Sequence, residues 1–370
     1  MSSRISSIGS TDPAIVLLVQ TLSEQAALSA GTRVLILNGQ DPALALAAAK
    51  SAGQVAVFSD SAGALARIES PLQNRQIGNV SLSNGVVPDE ASIGAFDVVL
   101  LALPKGRDYG RGLLWTARWM LAAGGRLYMS GANESGIKTL LADAGVLFGS
   151  VATLITRHRC RVGVAIQPRT GRPVYPAEWG ADPLQPQTRT IAGLQLLTLP
   201  GVFSWQALDD GTAFLLDHLT VNSGDSVLDV GCGYGVIGLT AARRGAAQVT
   251  LSDDSLLATY CAEASIEPNW ALLNKAQIDV TVGDLYAGVA SRQFDLIVSN
   301  PPFHRQFETD MNVTRRLIDE APGHLKSGGR LLIVANSFLR YDRQMRERFS
   351  AERVRTVAEN SRYAIWEATR

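Results

Sequence analysis

The sequence is poor in the residues that build metal centres and disulfide frameworks. Its three cysteines, Cys160, Cys232 and Cys261, are too scattered for either. Its four histidines, His158, His218, His304 and His324, share no ligand spacing, so no metal is expected. Neither sign of charge dominates, since 34 Lys and Arg face 34 Asp and Glu. A surface for a polyanion must therefore be a local patch. Long apolar runs are missing too. Ala14-Ile-Val-Leu-Leu-Val is too short for a signal peptide or a membrane span, and a helical pattern follows it. A cytoplasmic protein with no membrane partner is expected. What the chain has is core material: 46% of its 370 residues are hydrophobic and 18% charged, which suits two folded domains rather than disorder.

The chain repeats itself. Arg33-Val-Leu-Ile-Leu37 resembles Ser226-Val-Leu-Asp-Val230, and each precedes an Ala-rich helical stretch, Ala43 to Lys50 and Ile237 to Arg244. Gln54 to Asp60 then matches Gln248 to Asp253, Phe96 to Pro104 matches Phe294 to Pro302, and Gly124-Gly-Arg-Leu127 matches Gly328-Gly-Arg-Leu331. Strands alternating with helices imply parallel sheets covered on both faces. The expected fold class is α/β: two tandem doubly wound domains, over residues 1–165 and 191–370. A Pro-rich linker, 166–190, joins them. The chain closes on two strand-like runs, Val354 to Ala358 and Tyr363 to Trp366, that suit an antiparallel hairpin.

The halves differ where chemistry would sit. Val227-Leu-Asp229-Val-Gly231-Cys-Gly233-Tyr-Gly235 runs a strand into a glycine turn, whereas its counterpart, Asn38-Gly-Gln-Asp-Pro42, lacks the glycine spacing. Gly231, Gly233 and Gly235 permit a tight turn and close approach of a ligand. Asp253 and Asp284 end the next two strands, where one carboxylate can accept from ribose hydroxyls and the other from an adenine amine. Asp229 can organise the turn or meet an amino group of the ligand. The spacing Gly233-x-Gly235-x-x-Gly238, with Asp253 beyond it, also fits a dinucleotide fingerprint, so a dehydrogenase stays open on the glycines alone.

Asn300-Pro301-Pro302-Phe303 separates the two readings. It follows the apolar run Phe294 to Ser299. The Asn300 carbonyl oxygen and a main-chain carbonyl can grip one planar NH2 group, because neither proline offers an N–H there. Phe303 adds a face for a flat substrate to stack on. Hydride transfer has no use for such a grip. A methyl donor facing an amino acceptor does. His304 beside the motif reads as a local structural donor, and the run Arg157-His-Arg-Cys-Arg161 as a phosphate contact or a solvated strand face.

These motifs, with Thr198-Leu-Pro-Gly-Val-Phe-Ser204, Leu208-Asp-Asp-Gly-Thr212 and Ile333-Val-Ala-Asn-Ser-Phe-Leu339, resemble class I S-adenosylmethionine-dependent methyltransferases of the "methyltransferase small" family. Within it the chain is similar to two-domain ribosomal RNA guanine-N2 methyltransferases, the small-subunit enzymes before the large-subunit ones. The resemblance implies a Rossmann-like catalytic domain preceded by a degenerate copy without a cofactor site. It also implies S-adenosylmethionine on Gly231, Gly233, Asp253 and Asp284, with Gly211 and Thr212 near its methionine end. Asn300 to Phe303 would hold the base, and ribosomal RNA or a ribosomal subunit would be the partner. Pro268-Asn269-Trp270 is less regular than this pattern leads one to expect. Two further readings stay open: a protein glutamine N-methyltransferase using the same grip, and a non-catalytic RNA-binding assembly factor.

Overall fold

The computed structural model describes residues 10–85, 89–168, 175–180, 184–302 and 308–370, the side chains of 308–311 excepted. The chain divides into two units between Gln185 and Pro186.

In the first unit, α1 (Pro13–Gln25) precedes β1 (Arg33–Leu37), α2 (Pro42–Ala49), β2 (Gln54–Ser59), α3 (Ala62–Asn74), β3 (Val80–Asn84) and β4 (Phe96–Ala102). There follow α4 (Arg107–Met120), β5 (Leu121–Ala132), α5 (Ile137–Phe148), β6 (Val151–Arg157) and β7 (Cys160–Ile166). The second unit opens with the hairpin β8 (Gln187–Ile191) and β9 (Leu194–Thr198). It continues through α6 (Asp210–His218), β10 (Ser226–Val230), α7 (Val236–Arg243), β11 (Gln248–Asp253), α8 (Leu256–Ala264), β12 (Gln277–Val282) and β13 (Phe294–Ser299). It ends with α9 (Glu308–His324), β14 (Leu325–Asn336), α10 (Tyr341–Phe349), β15 (Val354–Glu359) and β16 (Tyr363–Thr369).

Each unit carries a seven-stranded sheet, and the orders correspond strand for strand: β3-β2-β1-β4-β5-β7-β6 and β12-β11-β10-β13-β14-β16-β15. Five strands run parallel and the last hairpin is antiparallel. The order reverses beside β1 and beside β10, which opens a crevice at the strands' carboxyl ends. In the second unit Val227, Val249, Leu296 and Val298 enter one core and Leu228, Val230, Ile297 and Ile333 the other. Alternate residues thus feed opposite faces, and helices cover both.

The repeat extends to single hydrogen bonds. Asp97 accepts the Arg33 N–H at 2.8 Å, and Asp295 accepts the Ser226 N–H at 2.8 Å. Gly124 and Gly125 exchange main-chain bonds with Gln167 as Gly328 and Gly329 do with Arg370. Both sheets are bulged after Phe96 or Phe294 and again after Thr153 or Thr356. These are irregularities that two independent folds would not share position by position.

The expected linker is only partly a spacer. Trp179 is buried, meets Tyr175 edge-on at 5.5 Å and lies under Arg111 of α4 at 5.0 Å. Gln187, read as linker, begins β8. Pro268-Asn269-Trp270 forms a 3-10 turn with a purpose: buried Asn269 bonds both the N–H and the carbonyl of Gln195, which fixes β9 to the turn.

Candidate active site

The glycine turn follows β10. Gly231 and Cys232 donate their N–H groups to the Ser252 carbonyl, which brings the turn against the end of β11. Gly231 has φ 73, and a side chain there would meet open space, so the constraint is the backbone conformation and what occupies that space. Gly233, φ 57, donates to Asp253 Oδ2 at 2.9 Å, and Ser255 donates to Asp253 Oδ1 at 2.9 Å. Asp253 therefore latches the turn while its carboxylate stays partly exposed. Gly235 begins α7 and is packed inward, 3.3 Å from Leu251 on an added Cβ. A Cβ on Gly238 would lie 2.2 Å from Leu251, so that glycine serves close helix–strand packing.

Asp229 is fully buried in the middle of this frame. Its Oδ2 accepts the Gly238 N–H at 2.8 Å and its Oδ1 has no partner among the described residues. Burial pushes its carboxyl up to about 7, against the Gly238 N–H that lowers it, and Asp253 adds a smaller rise. A raised native value means that the folded state binds the proton more tightly than the unfolded chain. The Asp229 contribution to stability is then fully present in acid and falls as pH rises from about 3.8 to about 7, by at most ~1.4 kcal/mol per pH unit. Denaturant titrations at pH 5 and pH 8 should show that fall, and Asp229→Asn should flatten it. An unaltered slope in the variant would remove Asp229 as its source.

Asn300 follows β13 directly. Its Nδ2 donates to Thr212 Oγ1 at 2.8 Å and to Asp209 Oδ2 at 3.1 Å. A carboxylate only accepts, so the amide stands one way up. Its Oδ1 is buried and has no hydrogen-bond partner among the described residues. Pro301 is buried beneath, and Pro302 is exposed. Phe303 and His304 lie outside the described residues. Thr212 and Gly211 open α6, and Gly211 packs against the Tyr363 ring, 3.1 Å from an added Cβ. Thr212, placed by sequence resemblance at the donor's methionine end, thus also holds the acceptor amide. Asp284, expected to end a strand, lies two residues beyond the end of β12, where its Oδ2 accepts from Arg316 Nη1 at 2.7 Å. Arg316 thus holds Asp284 in a salt bridge.

Asp209 was not singled out from the sequence. It caps α6 by accepting the Thr212 N–H at 2.8 Å and reaches Asn300 with the same oxygen. The available signal was Asp209-x-x-Thr212 ahead of an apolar helix, a capping pattern that says nothing of the second bond. Burial, and then the Asp209 charge, push the Tyr234 phenol up to about 12 and raise that of Tyr363.

The first unit has none of this. The ladder registers set Ile36 where Asp229 stands, Asn38 at Gly231, Ser59 at Asp253 and Ala102 at Asn300. Gly39, at the position of Cys232, abuts Val57, 2.5 Å from an added Cβ. Arg157, His158 and Arg159 are exposed at the β6–β7 tip. No cluster of three His, Cys, Asp or Glu side chains is placed to hold a metal among the described residues. Nor is any described helix long and apolar enough to cross a membrane. A cleft of about 560 Å³ lies at the far end of β16, lined by Pro322, Arg346, Arg353 and Thr369, and none of the expected site residues lines it.

The Methyltransferase small domain family matches residues 193–367, and its companion, Methyltransferase small domain N-terminal, matches residues 20–147. The chain belongs to the methyltransferase small family. Ribosomal RNA small subunit methyltransferase C of Pseudoalteromonas atlantica is 33% identical over 273 residues, 74% of this chain and 77% of the relative. The enzyme of that name from Hamiltonella defensa is 32% identical over 289 residues, 77% of this chain and 80% of the relative. Among solved structures, the T. thermophilus 16S rRNA N2 G1207 methyltransferase, in complex with AdoMet and guanosine, superposes with TM-score 0.79 at 28% identity. That match covers 98% of this chain and 92% of the other. The chain is thus a two-domain methyltransferase of the small-domain family, and only its second domain retains the glycine turn and the Asn-Pro-Pro segment.

Proposed function

We propose that this chain transfers the methyl group of S-adenosylmethionine to the N2 amine of a guanine in small-subunit ribosomal RNA. One observation carries the reading: the Asn300 amide is clamped by its NH2, so a buried, unpartnered carbonyl oxygen is left for an incoming amine. The names of the relatives and the guanosine in the T. thermophilus complex support guanine as the owner of that amine.

The residues fit the donor. Space above Gly231 is open, Asp229 Oδ1 is buried without a partner among the described residues, and the Asp253 carboxylate stands at the turn, bonded to the Gly233 N–H. Gly231, Gly233 and Gly235 would shape the cradle, Asp253 would accept from the ribose and Asp284 Oδ1 from the adenine amine. Gly211 and Thr212 would border the methionine end. When bound, the sulfonium supplies an electrophilic methyl group with a neutral leaving group.

A guanine N2 lone pair is delocalised into the ring and is a weak nucleophile. Asn300 Oδ1 accepts one N2 proton, and the Asn300 or Pro301 carbonyl accepts the other, so the lone pair is freed and aimed. Positioning of this kind can supply several kcal/mol, and no strong base is needed. Phe303 supplies the stacking face, and the exposed Arg157 and Arg159 are suited to RNA phosphates. Incubating the chain with labelled donor and unmodified small-subunit RNA or subunits should give N2-methylguanine at a single position. Label in a glutamine amide of protein, or none in RNA or subunits, would overturn the assignment.

A further inference from the structure

Asp209 does more than a helix cap requires. Its Oδ2 accepts the Thr212 N–H at 2.8 Å, the Thr212 hydroxyl at 3.3 Å and Asn300 Nδ2 at 3.1 Å. Capping α6 needs only the first, and Asn or Ser would supply it as well. The carboxylate forms no salt bridge among the described residues; Arg362, on the adjoining turn, pairs with Asp210 instead. A full negative charge therefore bears on the back of the Asn300 amide, whose front oxygen is buried and unpartnered.

Resting on the guanine-N2 reading, we propose that Asp209 is a positioning residue for methyl transfer, fixing and polarising the Asn300 acceptor oxygen toward the amine. In the transfer the N2 lone pair forms the new N–C bond while the methyl–sulfur pair leaves with sulfur. N2 carries positive charge until one of its protons passes to water. A charge-assisted bond from Nδ2 to Asp209 shifts electron density onto Asn300 Oδ1, which faces that nascent cation. Because the amide is half-buried and Thr212 buried, the interaction is only weakly screened. The Thr212 hydroxyl, donating to Asp209 and accepting from Asn300, keeps the amide from turning over.

The test uses the full chain and two variants that preserve the cap, Asp209→Asn and Asp209→Ser. Three quantities are read: melting temperature, calorimetric affinity for S-adenosylhomocysteine, and kcat and KM on unmodified small-subunit RNA. The expected result is kcat lower by about ten- to a hundredfold in both, in the range seen when a partner that orients an active group is lost. Melting temperature, cofactor affinity and KM should stay near wild type. Wild-type kcat in Asp209→Asn would leave Asp209 a cap and overturn the proposal, as would a fall in kcat matched by falls in melting temperature or cofactor affinity. Failure of the wild-type chain to make N2-methylguanine would instead overturn the reading beneath it.

Discussion

Asn300→Ala should lower single-turnover methyl transfer by about 10²–10³ while donor affinity stays near wild type. The asymmetry follows from how the amide is spent. Nδ2 is committed to Thr212 and Asp209, so the only group the site presents is Oδ1. Truncation removes a preorganised acceptor that is already desolvated, so none of its reorganisation has to occur during the reaction. The stability cost should be modest, ~0.5–1.5 kcal/mol, since Thr212 and Asp209 keep each other as partners. Asn300→Asp should be no rescue. It would set a second carboxylate against Asp209 and delete both donors. Single-turnover rates with pre-bound donor, paired with calorimetry on the same preparations, decide the matter. A near-wild-type rate in Asn300→Ala would return the motif to a structural turn.

Where sequence sufficed, the backbone left a chemical trace. The duplicated order of elements was visible because both copies kept their apolar strands and their Gly-Gly-Arg-Leu segments, which the sheets use in matching ways. The loss of glycine spacing at Asn38 to Pro42 marked the first unit as altered, and the ladders set Asn38, Ser59 and Ala102 where Gly231, Asp253 and Asn300 stand in the second. Registers were harder. The apolar runs pair Gln54 to Asp60 with Gln248 to Asp253, but the ladders set Ser59 at Asp253, so Asp60 corresponds to Asp254 and the capping Ser61 to Ser255. Asp229 was ambiguous because a carboxylate after two apolar residues reads alike whether it bonds a ligand or a turn N–H. The structure gives one oxygen to Gly238 and leaves the other open. Asp209 escaped because its second bond spans 91 residues, and no local pattern encodes such a contact. The linker reading counted prolines and passed over Trp179, whose burial depends on Trp115 and Tyr175 lying within reach.

Asp253→Ala should weaken donor binding by about 10²–10⁴, the largest loss expected of any residue at the glycine turn. Two charge-assisted ribose hydrogen bonds at ~1.5–3 kcal/mol each set the scale. The structure adds a second cause. Asp253 Oδ2 also anchors the Gly233 N–H and Oδ1 the Ser255 N–H, so its removal loosens the turn that shapes the cradle. Asp253→Asn separates the two contributions. Asn keeps one acceptor for Gly233 but loses the charge, so its affinity should fall between wild type and Ala. If the turn alone mattered, Asn would bind almost normally. If only the ribose contacts mattered, both variants would lose affinity while melting temperatures stayed level. Titration of the full chain with S-adenosylhomocysteine reads all three proteins, and unchanged affinity in Asp253→Ala would mean that the donor's ribose lies elsewhere. At saturating donor the Ala variant should recover most of its transfer rate, since Asn300 and its clamp are untouched. That recovery is the converse of the Asn300→Ala result, and together they would place donor binding on β11 and acceptor activation on β13.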